Sequence, residues 1–389
     1  MTRRLVAVDL PPGAAFVDEL RRCWAEGDAA LPIDPRLAGP AKAALLDMLR
    51  PEVIVDASGR STRDDGVPVL DGDALVVATS GTTGEPKGVV LTHDAVNASA
   101  AATNARLAID PARDRWLATL PVAHIGGLSV ITRALASGTP LTIVDRFDPE
   151  VVDAARSTGH TRTSLVVTAL QRVDPQGWRT ILVGGSAMPE ALPDNCVRTY
   201  GMTETGSGVV YDGFALEGVG ITLGVDGEIL IDGPMQFRAY RSADGAATPE
   251  GLDPKDDAGR FATDDAGRFQ ADGRLEVLGR RGDVIVSGGE KVWPDAVERV
   301  LRSAFVDLDA AVAGQPDPAW GQRVTLFVAA GSTTPSLGEV RAVVRDSLAG
   351  YCAPRALVVL DGPLPRTSSG KVNRSLLSTR MTPPRSTSP

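Results

Sequence analysis

Short apolar runs broken by glycine-rich or polar segments dominate most of the chain. The run "ALVVATS" (74–80) is β-branched and ends in a glycine-rich loop, and "GVVLTHDAVNASAAATNARLAI" (88–109) starts as a strand and continues as an alanine-rich helix, so the loop lies between strands. Further apolar runs at "WLATLPV", "PLTIVD", "TSLVVTAL" and "TILVGGS" alternate with helical stretches such as "PEVVDAARST", a pattern that predicts α/β layering. Between 213 and 279 the texture changes to short strands punctuated by glycine, "GEILIDGP" and "GRFQADGRLEVLG", which predict hairpins and a small β region. Beyond "RRGDVIVSGG" the pattern changes again. "PDAVERVLRSA" begins with Pro294 at a favourable first-turn position, and "SLGEVRAVVRDSL" opens on a Ser336/Glu339 capping box. The strands "DAAVAG", "RVTLFVAAG" and "RALVVL" lie between and beside these helices. The expected organisation is an α/β chain. A large multi-subdomain domain with a small β region spans 1–281, a small α+β domain spans 282–375, and a disordered tail rich in Pro, Ser and Thr spans 376–389.

Composition narrows the function. A chain of 389 residues, 43% hydrophobic and 23% charged, is long enough for two or more domains. A net charge of -9 and a pI near 5.0 argue against nucleic acid as the main partner, so any anionic ligand must meet a locally basic site. No apolar run reaches the roughly 18 residues of a membrane span, and the start has no apolar core of signal-peptide length, so a cytoplasmic location is expected. Cys23, Cys196 and Cys352 are widely separated and lack the spacing of a disulfide framework or a zinc site; they read as buried free thiols.

The candidate chemistry begins at "TSGTTGEPKG" (79–88). It is not a Walker A loop, because Pro86 stands between Gly84 and Lys87, removes a donor and biases Glu85 toward extended geometry. Thr79, Ser80, Thr82 and Thr83 still offer hydroxyls, Gly81 and Gly84 permit close backbone approach, and Lys87 adds charge. These groups suit the β and γ phosphates of a nucleotide. A solvated glycine-rich turn is the plain alternative. The loop is followed by "LPVAHIGGL", "LVGGSAMP", "YGMTETG", "GRFATDDAG", "GRRGDVIVSGGEKVWP" and "PRTSSGKVNR", which end at Arg374. In this order the set resembles the adenylate-forming superfamily of acyl-CoA synthetases, luciferases and peptide-synthetase adenylation domains.

The resemblance implies a reaction in which a carboxylate attacks the α-phosphorus of ATP, with Mg2+ present, and the acyl group passes to the thiol of CoA. It implies that Thr203 bonds the α-phosphate and that Glu204 holds the metal. Tyr200 would stack on adenine, Gly201 and Met202 would line the nucleotide, and Gly185, Ser186 and Ala187 would flank the other side of the base. Asp265 would accept from the ribose hydroxyls. Asp264 stands where the family has glycine, and Asp265 is chosen for its register before "AG". Arg280 would hold ribose or phosphate, with a surface ion pair as the plain alternative. Lys371 would bridge carboxylate, α-phosphate and ribose as charge develops, delivered by closure of a mobile small domain about Gly282 and Asp283.

His124 resembles the family's residue between the carboxylate and the thiol entrance; a hydrogen-bonded core histidine is the alternative. The stretches around 119–135, 163–173 and 285–298 most resemble the branch of the superfamily that activates 2-succinylbenzoate in menaquinone biosynthesis. A slot at Gly126 and Gly127 would admit the aromatic ring. Arg133 or Arg172 would face the second carboxylate, directly or through water, although either also reads as a helix-surface charge. Another aryl- or fatty-acyl-CoA ligase, or a nucleotide-binding module without activity, are the alternatives. Homodimerisation is common among the resembling proteins.

Overall fold

The computed structural model describes residues 2–80, 86–185, 191–242, 255–305, 307–366 and 372–379. Packing divides the chain into two units. One comprises Met1–Gly185, Leu192–Thr222 and Leu230–Ala262, and the other Ser186–Ala191, Leu223–Ile229 and Thr263–Pro389.

The first unit is built on two seven-stranded sheets. In one, strand Asp73–Ser80 pairs antiparallel with Pro86–Thr92, which pairs on its other side with Ala239–Arg241. The early strands Leu5–Val8, Ala29–Pro32 and Val53–Asp56 extend the same sheet in parallel. The first two are buried on both faces, as continuous apolar runs in a covered parallel sheet should be, whereas Val53–Asp56 alternates buried and half-buried positions. In the other sheet, Leu141–Ile143, Trp116–Ala118, Arg162–Val166, Thr180–Gly184 and Cys196–Met202 run parallel, and Ser207–Tyr211 returns antiparallel. The alanine-rich helix forms as expected over His93–Arg106, with the Thr92 hydroxyl accepting from Ala95 N. Its partner helix is Ile125–Ser137, and residues of both helices share a core with the strands of the first sheet.

The second unit carries a five-stranded sheet in which Gly321–Val328 pairs with Ala310–Asp317, with Ile285–Ser287 and, in parallel, with Ala356–Val359. Helix Pro294–Ala304 buries Pro294, Val297, Glu298 and Leu301, a 3–4 residue spacing that puts one face on the core. Helix Leu337–Ser347 has the capping box read from sequence: the Ser336 hydroxyl accepts from Glu339 N, and Ser336 N donates to the Glu339 carboxylate at 2.8 Å.

One expectation is corrected. Residues 376–378, expected in the disordered tail, belong to helix Arg374–Ser378, capped by Asn373. Leu377 is fully buried among Ala311, Ala313, Phe327 and Leu364, so a single apolar side chain draws this end of the chain into the core. Residues 380–389 of the tail lie outside the described residues. Among the described residues no helix is long and apolar enough to cross a membrane. The cysteines are free, and burial pushes the thiols of Cys23 and Cys196 up to about 12 and about 11, which keeps them protonated at neutral pH. Cys352 is only half-buried.

Candidate active site

In the first unit, the ladder that ends at the glycine-threonine loop sets Thr79 opposite Lys87, and the Thr79 hydroxyl reaches Lys87 O at 3.4 Å. Strand alternation places Lys87 and Val89 on one face, and Tyr240 is the cross-strand partner of Val89. The Lys87 ammonium accordingly lies 3.5 Å from the centre of the Tyr240 ring. Glu204 approaches from the other sheet. It sits in the 3-10 turn Thr203–Thr205 that follows strand Cys196–Met202, and the Thr205 hydroxyl ties that turn by accepting from Met202 N and donating to Ser207 O. Phe237 N donates to Glu204 O at 2.7 Å. The Glu204 carboxylate accepts from the Tyr240 hydroxyl at 2.9 Å and faces the Lys87 ammonium at 3.6 Å. Lys87, Tyr240 and Glu204 therefore form one cluster, with Thr203 beside it in sequence. Tyr240 escaped sequence reading, because nothing in "PMQFRAYRS" signals a partner 36 residues earlier.

A half-buried carboxylate next to a hydroxyl fits Mg2+, which takes oxygen ligands and often uses only one or two protein carboxylates with substrate phosphates completing its shell. Among the described residues there is no cluster of three or more candidate metal ligands.

Gly201 is required where it stands. A Cβ there would lie 2.2 Å from Ser207 O, so only glycine lets the two strands meet beside half-buried Tyr200 and Met202. Gly185 follows strand Thr180–Gly184. Gly81, Thr82, Thr83, Gly84, Ser186 and Ala187, expected at the nucleotide, lie outside the described residues, as does the Ser80 side chain.

His124 immediately precedes helix Ile125–Ser137, without a side-chain hydrogen bond to its first turn, and its Nε2 lies 3.7 Å from the Asp34 carboxylate, which Arg36 holds by two-pronged hydrogen bonds. Burial lowers the His124 pKa below its ordinary value more than Asp34 raises it, so the imidazole is neutral at neutral pH. The pair of glycines that follows does not form a slot in the expected way. Gly127 is buried, and a Cβ there would fall 2.4 Å from the carbonyl oxygens of Leu120 and Pro121, so this glycine serves helix packing; Gly126 is the exposed one.

The two candidate arginines separate clearly. Arg172 is exposed and lies over the Phe147 ring at 5.3 Å, as a surface charge would. Arg133 is not a helix-surface charge: it is only 3% exposed. Its guanidinium donates to Ser129 O, Ser129 Oγ and Ser207 Oγ, each at 2.8 Å, and lies 5.3 Å from the centre of the Trp116 ring. Burial depresses its pKa. Its Nη1 has no hydrogen-bond partner among the described residues, and neither do Trp116 Nε1 or Asn104 Oδ1, although Asn104 donates to Arg133 O. A buried guanidinium costs several kcal/mol unless paired, so this polar cluster is unusual for a core.

In the second unit, Asp265 and Arg280 are register partners in the hairpin Phe261–Phe269 and Leu275–Arg280, and their side chains form an ion pair at 2.9 Å. Arg280 also donates to Thr263 O, and the Thr263 hydroxyl accepts from Asp265 N. Asp264 is exposed with φ of +61°, its N–H held by Glu228. Of the two neighbouring acids it is Asp265 that turns onto Arg280. Gly282 and Asp283 occupy the 3-10 turn Arg281–Asp283, and Asp283 pairs with Arg374 at 3.0 Å. Lys371 lies outside the described residues. On either side of it, Arg366 and Val372 form a β-bridge and Asn373 N donates to Pro365 O at 2.8 Å.

These units and motifs define an ATP-using, carboxylate-activating enzyme. Residues 42–221 match the AMP-binding enzyme family and residues 297–371 match the AMP-binding enzyme C-terminal domain; the chain belongs to this family of adenylate-forming enzymes. Within it, the chain is 34% identical over 334 residues to a 2-succinylbenzoate–CoA ligase of Listeria monocytogenes, covering 79% of this chain and 70% of that one. It is 38% identical over 340 residues to a probable 2-succinylbenzoate–CoA ligase of Mycobacterium tuberculosis, covering 81% and 86%. Among solved structures, o-succinylbenzoate CoA synthetase from Bacillus subtilis, in complex with its acyl-adenylate intermediate, matches with a TM-score of 0.83 at 27% identity over 97% of this chain and 89% of that one. The same synthetase in complex with ATP and a magnesium ion matches with a TM-score of 0.83 at 27% identity over 96% and 90%.

Proposed function

We propose that this protein is a Mg-ATP-dependent acid-thiol ligase that activates 2-succinylbenzoate and transfers it to CoA, a step of menaquinone biosynthesis. A carboxylate oxygen of the acid bonds to the α-phosphorus of ATP as the bond to pyrophosphate breaks. The CoA thiol then attacks the acyl carbonyl, loses its proton, and expels AMP. Bound Mg2+ supplies charge neutralisation on the phosphates. Glu204 and Thr203 are the groups suited to hold it, and Lys87 adds positive charge toward the outer phosphates. Asp265 accepts from the ribose hydroxyls, and Arg280 keeps that carboxylate oriented. Lys371 neutralises charge that builds at the attacked phosphorus. Neutral His124 sits beside the reacting carboxylate without adding a competing cation. The cytoplasm, where ATP and CoA are both plentiful, is the proposed location.

The observation that carries the substrate is Arg133. A benzoate or fatty acid leaves a buried, open-handed guanidinium unanswered, whereas the second carboxylate of 2-succinylbenzoate answers it, directly or through water. The test is a panel of 2-succinylbenzoate, simple benzoates and fatty acids, each with ATP, Mg2+ and CoA, read by mass detection of the acyl-CoA. Turnover of 2-succinylbenzoate well above the others is expected. Brisk turnover of another acid with none of 2-succinylbenzoate would overturn the substrate, and no acid-dependent pyrophosphate release would overturn the activity.

A further inference from the structure

Tyr240 does two separable things at once, one with its hydroxyl and one with its ring. The hydroxyl donates to Glu204 Oε1 at 2.9 Å, while the ring carries the Lys87 ammonium 3.5 Å from its centre. Lys87 and Glu204 themselves stand 3.6 Å apart, close enough for the lysine to neutralise the very carboxylate that a metal would need. A tyrosine between them gives each an alternative: a hydrogen bond that keeps the carboxylate aimed, and an aromatic face that attracts the ammonium sideways.

The residue is held firmly enough to do this. Residues on both sides of it are locked: Arg238, just before the strand, forms two hydrogen bonds, at 2.7 and 2.8 Å, with fully buried Asp73. Arg241 is wholly buried and donates to the carbonyl oxygens of Leu49, Arg50, Val67 and Pro68. Phe237, three residues before Tyr240, lies with its ring centroid 4.7 Å from the tyrosine ring and bonds the Glu204 backbone through its own N–H. The short strand Ala239–Arg241 is thus pinned on both sides of the tyrosine, and the turn carrying Glu204 is tied to the same segment.

We propose that Tyr240 is a positioning residue for ATP binding, its hydroxyl orienting Glu204 for the metal and its ring seating Lys87 for the phosphates. This rests on reading Glu204 as the magnesium carboxylate. The two roles come apart in two variants. Tyr240→Phe keeps the ring and loses the hydroxyl; Tyr240→Leu loses both. ATP affinity is measured by calorimetry on the full-length protein, once with Mg2+ and once with EDTA, and thermal melting is recorded alongside.

For Tyr240→Phe, affinity in EDTA stays within about twofold of the wild type, while the gain produced by Mg2+ shrinks by about tenfold, the size expected for losing a hydrogen bond to a charged group. For Tyr240→Leu, affinity in EDTA falls as well, by about threefold to fivefold, as an ammonium loses its aromatic seat. Glu204→Gln serves as the reference: it should abolish most of the Mg2+ gain, and adding Tyr240→Phe to it should change nothing further. If Glu204→Gln leaves the Mg2+ gain intact, the reading of Glu204 fails and this inference goes with it. If Glu204→Gln removes the gain but Tyr240→Phe does not reduce it, only the role of the tyrosine hydroxyl is overturned. Equal loss with and without Mg2+ in Tyr240→Phe would mark the tyrosine as a structural residue and overturn the proposal.

Discussion

Arg133 in the first unit and Arg374 in the second are both removed from solvent, yet their surroundings are opposite. Arg374 has three carboxylates at hand: Asp295 at 2.5 Å, Glu298 at 2.9 Å and Asp283 at 3.0 Å, with Val312 O accepting from its Nε. Those acids raise its pKa well above the ordinary value despite burial. Arg133 has two serine hydroxyls and a carbonyl oxygen, an Nη1 without a partner among the described residues, and a depressed pKa. Arg162 in the first unit resembles Arg374, since Asp114 meets it at 3.0 Å. The lesson is about the source of the counter-charge. Where the chain supplies the acid, as at Arg374 and Arg162, the ion pair holds the fold together; Arg241 does so through backbone carbonyl oxygens alone, and Arg133 keeps one nitrogen without a partner among the described residues.

The comparison can be broken by substitution. Arg374→Ala should have the largest effect, because it strands Glu298, 3% exposed, among other acids; a loss of about 3–5 kcal/mol is expected, seen as a lower denaturation midpoint. A melting curve like that of the wild type would refute the structural assignment. Lys371, three residues earlier, should behave in the opposite way. Lys371→Ala should leave melting unchanged and slow adenylation by about a hundred- to a thousandfold, while thioester formation from supplied acyl-adenylate persists. Equal loss in both half-reactions would contradict a role confined to the first.

Arg133→Leu sharpens the other side. Removing a buried charge that has hydrogen bonds but no counter-ion should cost less stability than Arg374→Ala, yet kcat/KM for 2-succinylbenzoate should fall by about ten- to a hundredfold, with benzoates lacking the second carboxylate almost unaffected. A uniform drop across all acids would show that Arg133 supports packing only. The smallest effect concerns His124. With only three histidines in the chain, NMR titration can follow it, and it should titrate below 6.5. Asp34→Asn should move it lower still, because the carboxylate is what partly sustains the proton. Since folding depresses this pKa, His124 favours the folded state above the unfolded value and withdraws that contribution as pH falls through the folded one. An unmoved titration in Asp34→Asn would separate the two residues.

The family was legible because its motifs are contiguous, as in the glycines, hydroxyls and lysine within the ten positions 79–88. Strand runs and helix caps were legible for a similar reason, as at Ser336 and Glu339, where both partners lie within one turn. Side-chain contacts across the fold were not. Arg133 meets Ser207 across 74 positions and Tyr240 meets Glu204 across 36, so burial and partnership at these sites are set by the packing of strands and helices whose pairing no local pattern specifies. The packing role of Gly127 and the burial of Leu377 belong to the same class. Sequence alone determined which reaction chemistry the chain can carry, since short-range backbone geometry encodes phosphate binding. Only the tertiary structure decided which buried charges meet a counter-charge and which do not, because that depends on what long-range packing brings within a few ångströms.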